Sequence, residues 1–399
     1  MKISMIGAAL PFTLALSLAG CNGSNDKAVA NDSATQSADP LNSQSMGRPF
    51  EETEVAKFDE PWAMSFLPDD RLLVTEKRGV LKIVDVLTGK IGTVSGAPTV
   101  DYGGQGGLGD VVTGPNFRAD KMIYLSWIEA GKGDTRGAVV GRGRLNCTQP
   151  LACSLDGLSV IWRQDPKVTG RGHYSHRIAF SPDGQYMFVS SGERQKKNPA
   201  QDLSNNLGSV LRLNPDGTVP ADNPFAERGG VSAQIWSYGH RNILGLAFAP
   251  NGNLWESEMG PKGGDEVNLI KRGKNYGWPN ASNGINYDGS NIPDHKPGDG
   301  YEPPEAFWTP SISPANLIYY TGSLFPEWQD SLLLGGLSGE TLIRLKVDDQ
   351  DVSKADQWDM GFRVRALAQG PQGAVWVLED GSNARLIKLT PIDHGHGES

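Results

Sequence analysis

The 399-residue sequence predicts an all-β chain, a six-bladed β-propeller of four-stranded blades, on three observations. Glycine and proline are abundant, at 50 and 26 residues. Helix interiors lose about 1 kcal/mol per Gly and about 3 per Pro relative to Ala, so this content favours short strands joined by turns. A proline-containing turn ahead of an apolar run recurs six times, and most copies lead on to a second run of alternating character. The six prolines stand 45 to 76 residues apart, room for one four-stranded sheet per copy with loops of uneven length.

The copies are, in order, Leu67-Pro68-Asp69-Asp70 before Leu72-Leu73-Val74, and Gly114-Pro115-Asn116 before Met122-Ile123-Tyr124-Leu125. Ser181-Pro182-Asp183-Gly184 then precedes Met187-Phe188-Val189, and Ala249-Pro250-Asn251-Gly252 precedes Leu254-Trp255. Phe325-Pro326-Glu327 stands before Leu332-Leu333-Leu334, and Gly370-Pro371-Gln372-Gly373 before Val375-Trp376-Val377. A turn of the Pro-Asp-Gly type between two short β-rich runs is a hairpin with a mechanism, because proline presets φ and glycine supplies the positive φ. A β-sandwich with coincidental turns does not explain six such hairpins. The propeller is expected over residues 50–391, with a polar tail over 392–399.

Ahead of it lies a different composition. Lys2 and the apolar run Ile6 to Gly20 form a secretory signal over 1–20, too short to span a bilayer comfortably. Leu18-Ala19-Gly20-Cys21 resembles the bacterial lipobox, which would make Cys21 the lipidated first residue of the mature protein; an ordinary signal peptide with an incidental cysteine is the competing reading. Asn22 fits sorting to the outer membrane, facing the periplasm. Residues 22–49 hold almost no aromatic or branched apolar side chains and cannot bury enough surface to offset their ordering entropy, so the stretch 21–49 is expected to be a disordered tether. The remaining cysteines, Cys147 and Cys153, stand six apart; a small disulfide loop suits an oxidising compartment, and two free thiols are the alternative. A balance of 37 Lys+Arg against 46 Asp+Glu argues against a nucleic-acid partner.

Several chemistries are missing: no Gly-x-Gly-x-x-Gly after a strand, no Walker loop, no His-Glu-x-x-His and no Gly-x-Ser-x-Gly. His173 and His176 precede the third hairpin and His240 the fourth; a histidine at such a loop can act as a general base, or simply pack. His295, in a Pro/Gly-rich loop, is expected to be solvated. Glu258 to Asn268 combines Gly and Pro carbonyls with carboxylates, a hard-oxygen set that suits Ca²⁺ and equally suits a solvated acidic turn. Arg241, Arg363 and Arg365 are cations flanked by apolar residues, fit to bind a carboxylate-bearing ligand or to pair on the surface.

Taken together, His173-x-x-x-Arg177-x-x-Phe180, Gln201-Asp202-Leu203, Tyr238-Gly239-His240-Arg241-Asn242, Glu258-x-Gly260-Pro261 with Asp265-Glu266-x-Asn268, and Asn275-Tyr276-Gly277-Trp278-Pro279 resemble the soluble PQQ-dependent glucose and aldose sugar dehydrogenases. The likeness runs over about residues 55–390 and looks closest to the aldose sugar dehydrogenase branch. It implies an aldose substrate oxidised to a lactone, PQQ and Ca²⁺ as cofactors, and an electron acceptor that the sequence does not name. By the resemblance, His173 is the base that takes the anomeric hydroxyl proton while hydride passes to the quinone. Gln105, Arg241, Asn242 and Tyr287 match cofactor contacts, and Arg363 and Arg365 the pair on the quinone's carboxylates. The Gly260 and Pro261 carbonyls match ligands of the Ca²⁺ at the quinone; Glu266 and the Tyr276 carbonyl match a second Ca²⁺ site. Ser338 stands where the family usually has a cofactor-contacting Lys, and His176 where it commonly has a small residue, which would narrow the pocket or add a second titrating group. A Ca²⁺-dependent lactonase-like hydrolase and a non-catalytic sugar- or protein-binding propeller are the rival readings.

Overall fold

The apolar runs behind the six proline turns become the second strands of six antiparallel four-stranded meanders. These strands have neighbours on both sides and layers above and below, so they are buried almost throughout: Leu72–Glu76 and Ser331–Gly336 are buried at every position. Outer strands such as Asp351–Asp359 are largely exposed and alternate. The computed structural model describes residues 47–392. The signal peptide expected over 1–20, Cys21, the tether up to residue 46 and the tail beyond 392 lie outside the described residues.

The first meander is Pro61–Phe66, Leu72–Glu76, Val80–Asp85 and Lys90–Ser95. The second is Leu108–Thr113, Met122–Ala130, Arg136–Gln149 and Ala152–Arg163. The third runs Ser175–Phe180, Met187–Ser191, Ser209–Leu213 and Ile235–Tyr238. Ile243–Phe248, Leu254–Glu258, Asp265–Ile270 and Ala306–Trp308 make the fourth. Pro314–Tyr320, Ser331–Gly336, Thr341–Asp348 and Asp351–Asp359 make the fifth. The last joins Val364–Gln369, Val375–Glu379 and Ala384–Pro391 to Phe50–Phe58, so the first described strand pairs antiparallel with the last.

Each first strand packs on the first strand of the next meander, and Val364–Gln369 returns to Pro61–Phe66, closing a ring in a β-propeller-like fold. The sheets depart from six separate four-stranded units in one respect. Lys90–Ser95 pairs in parallel with Ala152–Arg163 through Val94 and Ser95, merging the first two meanders into an eight-stranded sheet. The cause is the long hairpin Arg136–Gln149/Ala152–Arg163, which reaches past its own meander to its neighbour's edge. Cys147 and Cys153 are joined by a disulfide near the tip of that hairpin.

At the centre of the ring sits Arg177, 3% exposed. Its guanidinium donates to the Leu244 carbonyl at 2.6 Å, the Ala315 carbonyl at 2.8 Å and Asp110 at 3.2 Å, and stacks 3.9 Å from the Trp62 ring. One side chain thus ties five first strands together. Among the described residues no helix is long and apolar enough to cross a membrane.

Candidate active site

A local rule positions the site. In four of the meanders an acid closes or follows the second strand, and it meets the backbone or side chain leading into the first. Glu76 accepts the Asp59 N–H at 2.9 Å, and Glu258 accepts those of Arg241 and Asn242 at 2.5 and 3.1 Å. Asp380 takes the Nε–H groups of Arg363 and Arg365 at 2.9 and 2.7 Å. In the third meander the acid is Glu193, and its partner is Nδ1 of His173.

His173 is 8% exposed and Glu193 fully buried. Burial pushes the His173 imidazole below its ordinary value; the Glu193 hydrogen bond opposes this and the Arg241 charge adds to it. Burial pushes the Glu193 carboxyl up, but the hydrogen bond and charge of His173, with the Lys197 N–H, outweigh it and hold the group below the usual range. The ring is therefore neutral near pH 7, with Nδ1–H given to a carboxylate and the Nε2 lone pair left to accept a proton. The His173 N–H donates to Gln105 Oε1 at 2.7 Å. His173, Ser175 and His176 all have left-handed backbones, φ 49°, 57° and 65°, a run of unfavourable conformations that the surrounding structure must hold in place.

A cavity of about 400 Å³ opens beside this loop, and Gln105, His176, Asn242, Arg363, Arg365 and Asp380 are among its lining residues. Arg241 lies against it through Met259, whose carbonyl accepts from Nη1 at 2.8 Å. Two buried donors here have no partner among the described residues: Arg241 Nε and Asn242 Nδ2. Unpaired buried donors are costly, and an electron-rich oxygen in the cavity would relieve both. The phenol of Tyr287, 75% exposed, comes only within 3.4 Å of Arg241 Nη2. Ser338 turns aside from the cavity, its Oγ 2.7 Å from Ser313 Oγ and 3.3 Å from the Ser311 carbonyl.

A second cavity, about 10 Å³, lies behind Arg241 and is lined by Glu258, Gly260, Glu266 and Tyr276. That is room for about one water-sized sphere. Gly260 and Glu266, expected at separate ions, thus share one small space, while Pro261 is buried but not among its lining residues. Glu256 lies just beyond, and His240, Glu256 and Glu258 hold ligand atoms within 4.8 Å of one another. Burial, then the charge of Glu258, pushes the carboxyls of Glu256 and Glu266 well above the ordinary range. Glu256 Oε2 and Asn268 Oδ1 are buried without donors among the described residues. Buried carboxylates with unsatisfied oxygens in a one-ion space fit a hard divalent cation. Asp265 is spent otherwise, accepting the N–H groups of Gly260, Ile312 and Ser313 at 2.8, 2.7 and 2.7 Å.

Two histidines differ from expectation. His295 is not solvated: its side chain is 4% exposed, 4.0 Å from Glu266 with both ring nitrogens unpartnered, because its loop folds down over the small cavity. His176 is no second titrating group. Burial, then the charges of Arg177 and Arg194, pushes its pKa down to about 3. Glu193 escaped the sequence reading, since an acid twenty residues from its histidine carries no motif. The recurrence of an acid at or just after the end of a second strand, as at Glu76, Glu258 and Asp380, is the signal that could have found it.

A family model described as Glucose / Sorbosone dehydrogenase matches residues 58–388. The aldose sugar dehydrogenase YliI of Escherichia coli is 40% identical over 342 residues, covering 84% of this chain and 91% of that protein. The apo-form structure of the soluble aldose sugar dehydrogenase from Escherichia coli aligns with a TM-score of 0.81 at 38% identity, over 86% of this chain and 99% of that one. The PQQ-bound form of an aldose sugar dehydrogenase from Streptomyces coelicolor aligns with a TM-score of 0.72 at 28% identity, over 86% and 98%.

Proposed function

The chain belongs to the glucose/sorbosone dehydrogenase family, and from that premise we propose that it is a PQQ- and calcium-dependent oxidoreductase converting the anomeric hydroxyl of aldose sugars to a lactone. The observation that carries this is the buried His173–Glu193 pair beside a cavity that the next residues, Tyr174 and Ser175, line together with Arg363 and Arg365. We count the merged sheet as two blades, which makes the fold a six-bladed propeller with its site at one end of the ring.

Bound PQQ would supply the two-electron acceptor for the hydride leaving the anomeric carbon. The protein's part is to hold and to deprotonate. His173 Nε2 accepts the hydroxyl proton, and Glu193 stabilises the resulting imidazolium through Nδ1–H. Arg241 Nε and Asn242 Nδ2 are free to face developing negative charge. Asp380 occupies Nε of both Arg363 and Arg365 and an Arg365 Nη, which aligns the two forks while leaving Arg363 Nη groups for a cofactor carboxylate. Glu258, Glu266, Gly260 and Tyr276 would hold one Ca²⁺; the Gly260–Pro261 carbonyls are our candidates at the cofactor side.

Ser338→Lys adds a cation next to Ser313, a lining residue. We expect it to tighten PQQ binding about tenfold, the worth of one charge-assisted hydrogen bond; an unchanged dissociation constant by calorimetry would remove Ser338 from the cofactor contacts. In the same proposal the mature chain is anchored at the bacterial envelope through a lipid on Cys21, a reading supported by Leu18-Ala19-Gly20-Cys21 and lost if Cys21→Ser still partitions with membranes. The function itself is tested by dye reduction with a panel of aldoses. Lactone formation that needs both PQQ and Ca²⁺ supports it, and lactone hydrolysis without any electron acceptor would favour the hydrolase instead.

A further inference from the structure

His176 takes no part in the chemistry above, yet it is among the residues lining the large cavity and is only 2% exposed. Its ring stacks on Trp62 at 4.8 Å and 11°, and sits so close over Gly109 that a Cβ there would fall 1.9 Å from Cε1. Trp62 in turn carries Arg177 at 3.9 Å. The imidazole is thus fixed at the floor of the cavity by two first strands besides its own.

The hydrogen bonds around it decide which nitrogen carries the proton. Ser126 Oγ, wholly buried, accepts the Asp110 N–H at 2.8 Å and lies 2.7 Å from His176 Nδ1. A hydroxyl has one proton, and no other acceptor for it is found among the described residues. Leaving it unpaired in a dry interior would cost free energy, so Ser126 donates to Nδ1. Nδ1 is then the acceptor and Nε2 carries the hydrogen. Nε2 has no partner among the described residues. With a pKa of about 3 the ring stays neutral through the physiological range, so this donor does not switch with pH.

We infer that His176 Nε2–H is a cofactor-positioning donor, giving one hydrogen bond to a carbonyl or carboxylate oxygen of the bound quinone. The inference rests on the PQQ reading proposed above. The cofactor is favoured over the sugar because His176 lines the cavity from the second position of its first strand, as Arg365, placed above on the cofactor, does from the second position of its own.

The test is a titration of apo-protein with PQQ in Ca²⁺ and no sugar, followed by calorimetry and by the absorption spectrum of the bound cofactor. His176→Phe keeps a flat ring over Trp62 and removes the donor. It should weaken PQQ binding about ten- to a hundredfold with the apo melting temperature unchanged, and His176→Gln, which returns an N–H near the Nε2 position, should restore most of the loss. An unchanged dissociation constant in His176→Phe overturns the inference, as does an unchanged constant accompanied by a raised sugar KM. If His176→Phe lowers the apo melting temperature, the ring's nitrogen chemical shifts in the wild type decide: a protonated Nε2 that shifts on PQQ addition upholds the donor, and a protonated Nδ1 overturns it. Failure of the wild type to bind PQQ would instead sink the underlying reading, and it is visible before any variant is made.

Discussion

His173→Ala should lower the turnover of the PQQ-loaded protein by about a hundred- to ten-thousandfold, the usual worth of a positioned general base, while leaving PQQ affinity within a few-fold of wild type. The base is argued to work because its environment keeps it neutral and correctly protonated. Burial lowers the imidazole pKa, and Glu193 holds Nδ1–H, which leaves Nε2 as the proton acceptor. The acid limb of kcat/KM should therefore fall below the ordinary imidazole value of about 6.5. Glu193→Gln separates positioning from packing. It removes the charge that supports the imidazolium while burial and Arg241 still disfavour it, so turnover should drop about ten- to a hundredfold, with the acid limb moving to still lower pH. A variant with lower turnover and an unmoved pH profile would mean that Glu193 merely packs. Wild-type turnover in His173→Ala would remove His173 as the base.

Stripping Ca²⁺ should cost the fold as well as the activity. Glu258 and Glu266 line a space for one ion with Glu256 just beyond, and His240 is the only basic side chain within reach of Glu256 and Glu258 among the described ion pairs. A cation bound there at about a thousand times its dissociation constant stabilises the native state by about 4 kcal/mol. Chelation should accordingly lower the melting temperature by roughly 5–10 °C and abolish dye reduction, both reversed by added Ca²⁺. Glu266→Gln should make the melting temperature insensitive to chelator. A chelated protein that melts where the calcium-loaded one does would show that these carboxylates hold no ion.

Much of the fold was legible because the second strand of every meander is buried along most of its length. Pro182-Asp183-Gly184 followed by Met187-Phe188-Val189 announces both the turn and the strand, and Gly184 at φ 69° shows why glycine stands there. The edges were not legible. That Lys90–Ser95 pairs with the neighbouring meander depends on how far the Arg136–Arg163 hairpin extends, and hairpin reach leaves no local pattern. In the site, Arg241, Asn242 and Gln105 are short-range features of their motifs and stand beside the cavity. Partners supplied across a meander were invisible: Glu193 under His173, Asp380 between Arg363 and Arg365, Ser126 under His176. His295 misled because a Pro/Gly-rich loop is usually exposed, whereas this one folds over Glu266.

The most direct test of the central claim is one anaerobic mixing experiment. Protein loaded with one equivalent of PQQ in Ca²⁺ is mixed with aldose in the absence of dye or oxygen, and the cofactor absorbance is followed. The oxidised quinone band should bleach to a stoichiometric end point, with one lactone formed per PQQ, and the same change should be slowed by orders of magnitude in His173→Ala. An absorbance that stays constant with every aldose, in protein shown by calorimetry to hold PQQ, would contradict it and leave a propeller that binds the cofactor without using it.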